Sequence, residues 1–200
     1  EIFPLMRKRY LFSGAANFAL FDFMNPDGWV DENVFAYTNR AFDERALIIY
    51  NNSYNITRGV LHTSTAINIG RAEEQQLHRR TLVEALALNT DPHYYTILRD
   101  TRTGLEYLRH TATMAEAGLH FELQGYEYKA FVAIREVCDN DRTWGRLHAL
   151  LGDKGTPDMQ EAYVEMYLSE VLNPFRALMT HEMVTHLIAT EDKDDILGPW

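Results

Sequence analysis

Cysteine occurs once, at position 138. No intrachain disulfide can form, so packing and hydrogen bonding alone must hold the fold. A single thiol fits a reducing compartment, and a cytoplasmic location is the expectation. Long hydrophobic runs are missing as well, since no apolar stretch approaches the roughly 20 residues of a membrane-spanning helix. The first residues lack the basic, apolar and small-residue regions of a secretory signal. Basic residues are few: 19 Lys and Arg against 29 Asp and Glu give a formal charge of −10. That balance argues against a phosphate backbone as ligand and against docking on anionic lipid, so neither nucleic acid nor membrane is expected as a partner. A Gly-x-Ser-x-Gly nucleophile elbow and a glycine-rich phosphate loop are also lacking.

What is present is an ordinary globular composition, 46% apolar over 200 residues, enough for one large domain or a domain with an appendage. The stretch Asn33 to Ser53 organises the rest. Val34 to Thr38 and Ala46 to Tyr50 are apolar, β-rich runs around a polar segment, Arg40 to Arg45, which reads as a solvated hairpin loop. Two such runs predict central strands buried on both faces. Upstream, Pro4 marks a helix start, with Leu5, Met6 and Tyr10 gathered on one face, and Ser13-Gly14 ends it. Asn17 to Phe23 is strand-like, and Asn25-Pro26-Asp27-Gly28 is a tight turn.

Downstream, Gly59 to Asn68 predicts a strand, Gly70 to Arg80 an exposed loop, and Thr81 to Leu86 a short helix. Tyr94 to Asp100 and Leu105 to His110 predict strands around the Thr101 to Gly104 turn. Thr111 to Ala117 reads as a short helix or turn. Leu119 to Leu123 and Glu127 to Val137 predict strands paired about Gln124-Gly125. The period then becomes helical: Trp144, Leu147, Leu150 and Leu151 stop at Gly152. Thr156-Pro157 and Asn173-Pro174 each read as a helix start, the second leading an amphipathic stripe through Phe175, Leu178, Met179, Met183 and Leu187. The expected fold is mainly β with α: an antiparallel β-sandwich over 25–140, preceded by a helix and linker over 1–24 and followed by a helical extension over 141–200.

Few residues point to chemistry. His181 and His186 flank Glu182 but lie five apart, about 140° around a helix, where a zinc-protease helix needs four; no metal and no cofactor is expected. Cys138 has only Arg135 and Arg142 near it in sequence and is expected to pack at a strand end. Asp22, Glu44, Asp100, Glu106, Glu122 and Glu127 cannot be paired across a cleft from sequence, and most of them read as solvated strand residues. Asn51-Asn52-Ser53 and Asn55-Ile56-Thr57 match the glycosylation triplet, and plain turn chemistry is the simpler reading. The candidates for stacking on a sugar ring are Trp29, Tyr54, Tyr94 and Tyr95, at strand ends or loops; the bland alternative is a rim of the core or a contact with a neighbouring domain.

One family resemblance emerges from Val34-Phe35-Ala36-Tyr37, a charged loop, and Glu44 to Ser53. This pattern resembles the β-sandwich domain that follows the catalytic barrel in bacterial α-amylase-type glycoside hydrolases (glycoside hydrolase family 13-like). Leu123 to Phe131 is similar to its tyrosine-rich closing strand, and Arg7 to Phe23 to the crossing from barrel to sandwich. The resemblance spans about Leu5 to Val137. It implies a C-terminal accessory domain of a larger protein acting on α-glucosidic bonds by double displacement. The catalytic barrel would be the partner and α-glucan the polysaccharide held. No catalytic residue carries over, because the barrel strands that bear them are not in this sequence, and the helical tail departs from the family pattern. A stand-alone carbohydrate-binding or protein-interaction module is the alternative.

Overall fold

The computed structural model describes residues 7–68, 74, 76–179, 183, 185 and 188. Two compact units divide the chain, one ending at Met159 and one beginning at Gln160. The first is β-rich. Its described elements begin with a short helix, α1 (Arg9–Ser13), followed by β1 (Ala19–Met24), β2 (Val34–Ala41), β3 (Glu44–Asn51), β4 (Thr57–Ser64), β5 (Ile67–Asn68) and β6 (Leu77–His78). Helix α2 (Leu82–Ala85) leads to β7 (Tyr94–Arg99) and β8 (Glu106–His110). Then come α3 (Thr111–Ala117), β9 (Leu119–Leu123), β10 (Tyr128–Phe131), β11 (Arg135–Cys138) and α4 (Thr143–Leu151).

Six strands form one antiparallel sheet in the order β10-β3-β2-β1-β4-β9, and three form a second, β11-β7-β8. Period-two alternation sets which face each strand buries. Phe21 and Phe23 of β1, Ala36 of β2, Leu47 and Ile49 of β3, and Leu61 of β4 point into one core. Leu98 of β7, Tyr107 of β8 and the α2 residues Leu82 and Val83 pack against them from the other side. The fold is thus antiparallel and β-rich with helices, as its alternation predicts. Thr81 and Glu84 start α2 with a reciprocal capping box: Glu84 N–H donates to Thr81 Oγ1, and Thr81 N–H donates to Glu84 Oε2.

Several local expectations are corrected. The segment Arg40 to Arg45 is not a solvated loop: β2 and β3 continue through Arg40 and Glu44, with Arg40 opposite Arg45 and Ala41 opposite Glu44. Only Phe42 and Asp43 turn the chain, with Phe42 at φ 54°. Lys8 and Tyr10 both donate to Glu44 at this end, so Tyr10 is a surface donor, and Leu11 is the helix residue buried instead. Part of the expected loop 70–80 is the strand β6, paired with β5. Leu119 to Leu123 and Glu127 to Val137 do not pair with each other. β9 joins β4, β10 joins β3, and β11 leaves for the other sheet to join β7. Nor are the central strands buried on both faces: Phe35 on the outer face of β2 is 50% exposed.

Two of the carboxylates expected at the surface are buried, Asp100 and Glu106. Asp100 accepts from Arg102 N–H and from the Thr103 hydroxyl, shaping the β7–β8 turn. Glu106 takes a bidentate pair of hydrogen bonds from Arg135 at 2.7 and 2.8 Å and a third from Met159 N–H at 2.8 Å. Cys138 ends β11 but is exposed rather than packed.

Helix α5 (Met159–Tyr167) contributes its first residue to the first unit; the second unit holds the remainder and α6 (Ser169–Leu178). Pro174 lies inside α6 rather than starting it. Within this unit Tyr163 stacks on Tyr167, and Arg176 pairs with Glu165. Leu178, Met179 and Met183 of the expected stripe are exposed. Pro4, Leu5, Met6, His181, Glu182, His186 and Leu187 lie outside the described residues. Among the described residues no helix is long and apolar enough to cross a membrane.

Candidate functional site

The six-stranded sheet curls so that its two edge strands, β9 and β10, approach one another across a single turn, Gln124 to Glu127. A register shift in β1 between Phe21 and Phe23 contributes to the bend. The turn is closed by Glu127 N–H donating to Gln124 O and by Gln124 N–H donating to the Glu127 carboxylate. Tyr126 N–H donates to Ser53 O, which ties the turn to the β3–β4 loop. Gly125 sits so close to that loop that an added Cβ would lie 2.3 Å from Tyr54 O. Backbone rather than a flexible side chain blocks it, so Gly125→Ala is expected to lower stability by about 1–3 kcal/mol. A urea midpoint lowered at unchanged slope would show it.

Between the two edges lies a cleft of about 690 Å³, closed on its far side by β8. That volume falls within the roughly 300–1,000 Å³ of small-molecule sites. Tyr107 and Phe121, both half-buried, form its apolar floor over the buried ring of Phe131. Phe121 of β9 and Phe131 of β10 stand 6.1 Å apart across the gap, and Tyr107 of β8 meets Phe131 edge-on at 6.3 Å. Gly59 on β4 also lines the cleft, where a Cβ would fall 2.4 Å from Met24 O.

Charged side chains surround this floor in pairs. Arg58 of β4 meets Glu122 of β9 at 2.7 Å, both exposed. Arg109 of β8 meets Asp153 at 3.1 Å, and its guanidinium lies 5.8 Å from the centre of the Tyr107 ring. Lys129 of β10 meets Glu127 at 3.3 Å, and Arg102 holds the same carboxylate at 2.7 Å. Burial pushes the Arg109 pKa down, opposed by the charge of Asp153. Burial alone would raise Glu127, but the Gln124 N–H, Lys129 and Arg102 outweigh it and hold the carboxyl below its usual range. The charged side chains around the cleft are thus paired with one another.

In the comparisons, no protein-family model, no curated protein and no solved structure matches this chain.

The sugar-stacking candidates do not converge on the cleft. Trp29 and Tyr54 are 74% and 77% exposed on the β1–β2 and β3–β4 loops, at the end of the sheet that also carries the Gln124 to Glu127 turn. Neither lines the cleft, although Asn25 and Pro26 of the β1–β2 loop reach its wall. Tyr94 and Tyr95 are half-buried on β7. The Tyr95 ring packs against His110 at 5.0 Å and His148 at 5.6 Å, so both neighbours compete for its faces. Burial lowers the His148 pKa, and the positive charges of Arg109 and His110 add to the effect. Tyr107, Phe121 and Phe131 went unnoticed in the sequence because each reads as an ordinary strand aromatic. Their convergence depends on three strands from two sheets. Among the described residues no group of three or more His, Cys, Asp or Glu could hold a metal ion. Asn51 of the first glycosylation triplet is fully buried and spends its side chain on three backbone hydrogen bonds, which favours the turn reading there.

Proposed function

We propose that this chain is a non-catalytic accessory domain of an α-amylase-like glycoside hydrolase, packing on a catalytic barrel and assisting it in holding polysaccharide. The observation that supports this reading is the outer face of the six-stranded sheet. Phe18, Leu20 and Phe35 are exposed there, and Tyr37, Ile48 and Tyr50 lie half-buried beside them. A contiguous apolar and aromatic face of this kind marks a contact surface. Helix α1 lies on the same face, with Phe12 edge-on to Tyr37 and Leu11 packed with Ala46 and Val132. A chain arriving from a barrel would cross the domain on this side. The barrel is the occupant that the resemblance of residues 5–137 implies.

Two measurements test the reading. The purified chain is expected to release no reducing sugar from starch or maltoheptaose, and reproducible turnover by it would end the proposal. Phe35→Ser, which removes an exposed ring, is expected to reduce binding of a hydrophobic dye while changing stability by no more than about 0.5 kcal/mol. Unchanged dye binding would show that the face is not the accessible apolar surface required.

A further inference from the structure

We infer that the cleft between β9, β10 and β8 is a binding site for a short neutral oligosaccharide, and that it, rather than the exposed loop aromatics, is the ligand-contacting part of the domain. The inference rests on the accessory-domain reading only in its choice of an α-glucan as first probe.

Tyr107, Phe121 and Phe131 come from three strands and two sheets, and their rings are fixed by mutual edge and tilted contacts. The half-buried Tyr107 and Phe121, held in place against the buried Phe131, can bind the C–H face of a pyranose without first being ordered, which spares the entropy that an exposed side chain such as Trp29 would lose. The charge pattern then selects the ligand class. Each cation at the cleft has an acidic partner: Glu122 for Arg58, Asp153 for Arg109 and Glu127 for Lys129. An anionic ligand would have to displace one of these carboxylates. A cationic or purely apolar ligand would leave guanidinium and ammonium donors without partners as water is expelled. A neutral molecule with many hydroxyl groups can accept from the cations and donate to the carboxylates at once, with the pairs left in place. Paired charges around an aromatic floor thus fit a polyhydroxylated ring better than the other ligand classes.

The experiment is a titration of the full chain with maltoheptaose, with cellohexaose and with inorganic phosphate, followed by backbone amide shifts in NMR. Saturable shifts at millimolar maltoheptaose are expected at His120 to Glu122 and at Lys129 to Phe131. The double variant Arg58→Ala/Glu122→Ala removes an exposed pair together and leaves no unpaired charge, so it should fold normally. It is expected to weaken binding about five- to tenfold, as loss of one or two hydrogen bonds would. Trp29→Ala and Tyr54→Ala are expected to bind as the unaltered chain does. The inference is overturned by shifts centred on Trp29 and Tyr54, by unchanged affinity in the double variant, by a response to phosphate alone, or by no saturable shift with either sugar. Binding of cellohexaose but not maltoheptaose would uphold the cleft and count against the α-glucan reading. Absence of all sugar binding would remove the cleft proposal and leave the barrel-packing reading to its own tests.

Discussion

Replacing Glu106 by alanine is expected to destabilise the first unit by about 3 kcal/mol, a fall of roughly 6–12 °C in thermal midpoint for a chain of this size. Glu106 is 3% exposed. It joins three separate pieces of chain: its own strand β8, Arg135 on β11 across the intervening β7, and the N–H of Met159 at the start of α5. Alanine would leave all three donors unanswered. The Arg135 side chain is 44% exposed and can recover water, so the cost stays at the lower end of the range for breaking a buried pair. Glu106→Gln keeps an acceptor but not the charge and should lose about half as much.

The same carboxylate predicts a pH dependence. Burial works to raise its pKa, but the Arg135 hydrogen bonds, the Met159 N–H and the charges of Arg135 and Arg99 together bring it below the ordinary 4.5. A depressed folded-state pKa means that the unfolded chain binds the proton more readily. The stabilisation is therefore complete above about pH 4.5 and is lost as pH falls through the lower folded value. Thermal midpoints of the unaltered chain and of Glu106→Gln should converge as pH is lowered below 4.5. A constant gap from pH 7 to pH 3 would refute the account.

Asn51→Asp is expected to cost about 3–5 kcal/mol at pH 7, although it exchanges only an amide nitrogen for an oxygen. The Asn51 side chain is fully buried. Its Nδ2 donates to Asn55 O at 2.7 Å and to Gln124 O at 2.9 Å, while its Oδ1 accepts from Ser53 N–H at 3.1 Å. These bonds hold the β3–β4 loop against the β9–β10 turn, at the end of the candidate cleft. An aspartate would turn a carboxylate oxygen toward two carbonyl oxygens, so the charged form is disfavoured and its folded pKa is raised. With the proton bound below that pKa, a donor is restored. The deficit should therefore grow as pH rises from 4 to 7. Asn51→Ala loses the bonds without the repulsion and is expected to cost about 2 kcal/mol, with no such pH trend. Urea midpoints at the two pH values would distinguish the variants.

How much of this was legible beforehand differs by element. The hairpin β2–β3, the short helix α2 and the stop of α4 at Gly152 depend on neighbours in sequence, and local pattern sufficed for them. The loop predicted over Arg40 to Arg45 failed because charged residues mark exposure, not irregularity. Glu44 is met by Lys8 and Tyr10 and Arg45 by Glu136, all outside the hairpin, so the ladder ran on beneath the charges. The start signal at Asn173-Pro174 failed for a related reason: helical residues on both sides carried α6 through the proline. The predicted pairing of β9 with the following strand failed at longer range. A short turn usually joins hydrogen-bonded neighbours, but here β4 and β3 offered β9 and β10 better apolar partners within the sheet. Leu61 stands opposite Leu119, and Leu47 opposite Phe131.

Composition and alternation by themselves determined that the chain forms an antiparallel β-rich body without disulfides, because which face of each strand meets water is a two-residue property. The tertiary structure alone decided that β9 and β10 end at opposite edges of one curled sheet, that Glu106 and Asp100 are buried, and that Tyr107, Phe121 and Phe131 share a floor. Those facts arise from contacts between residues far apart in the chain, whose energies depend on a partner's position and leave no periodic trace in the order of amino acids.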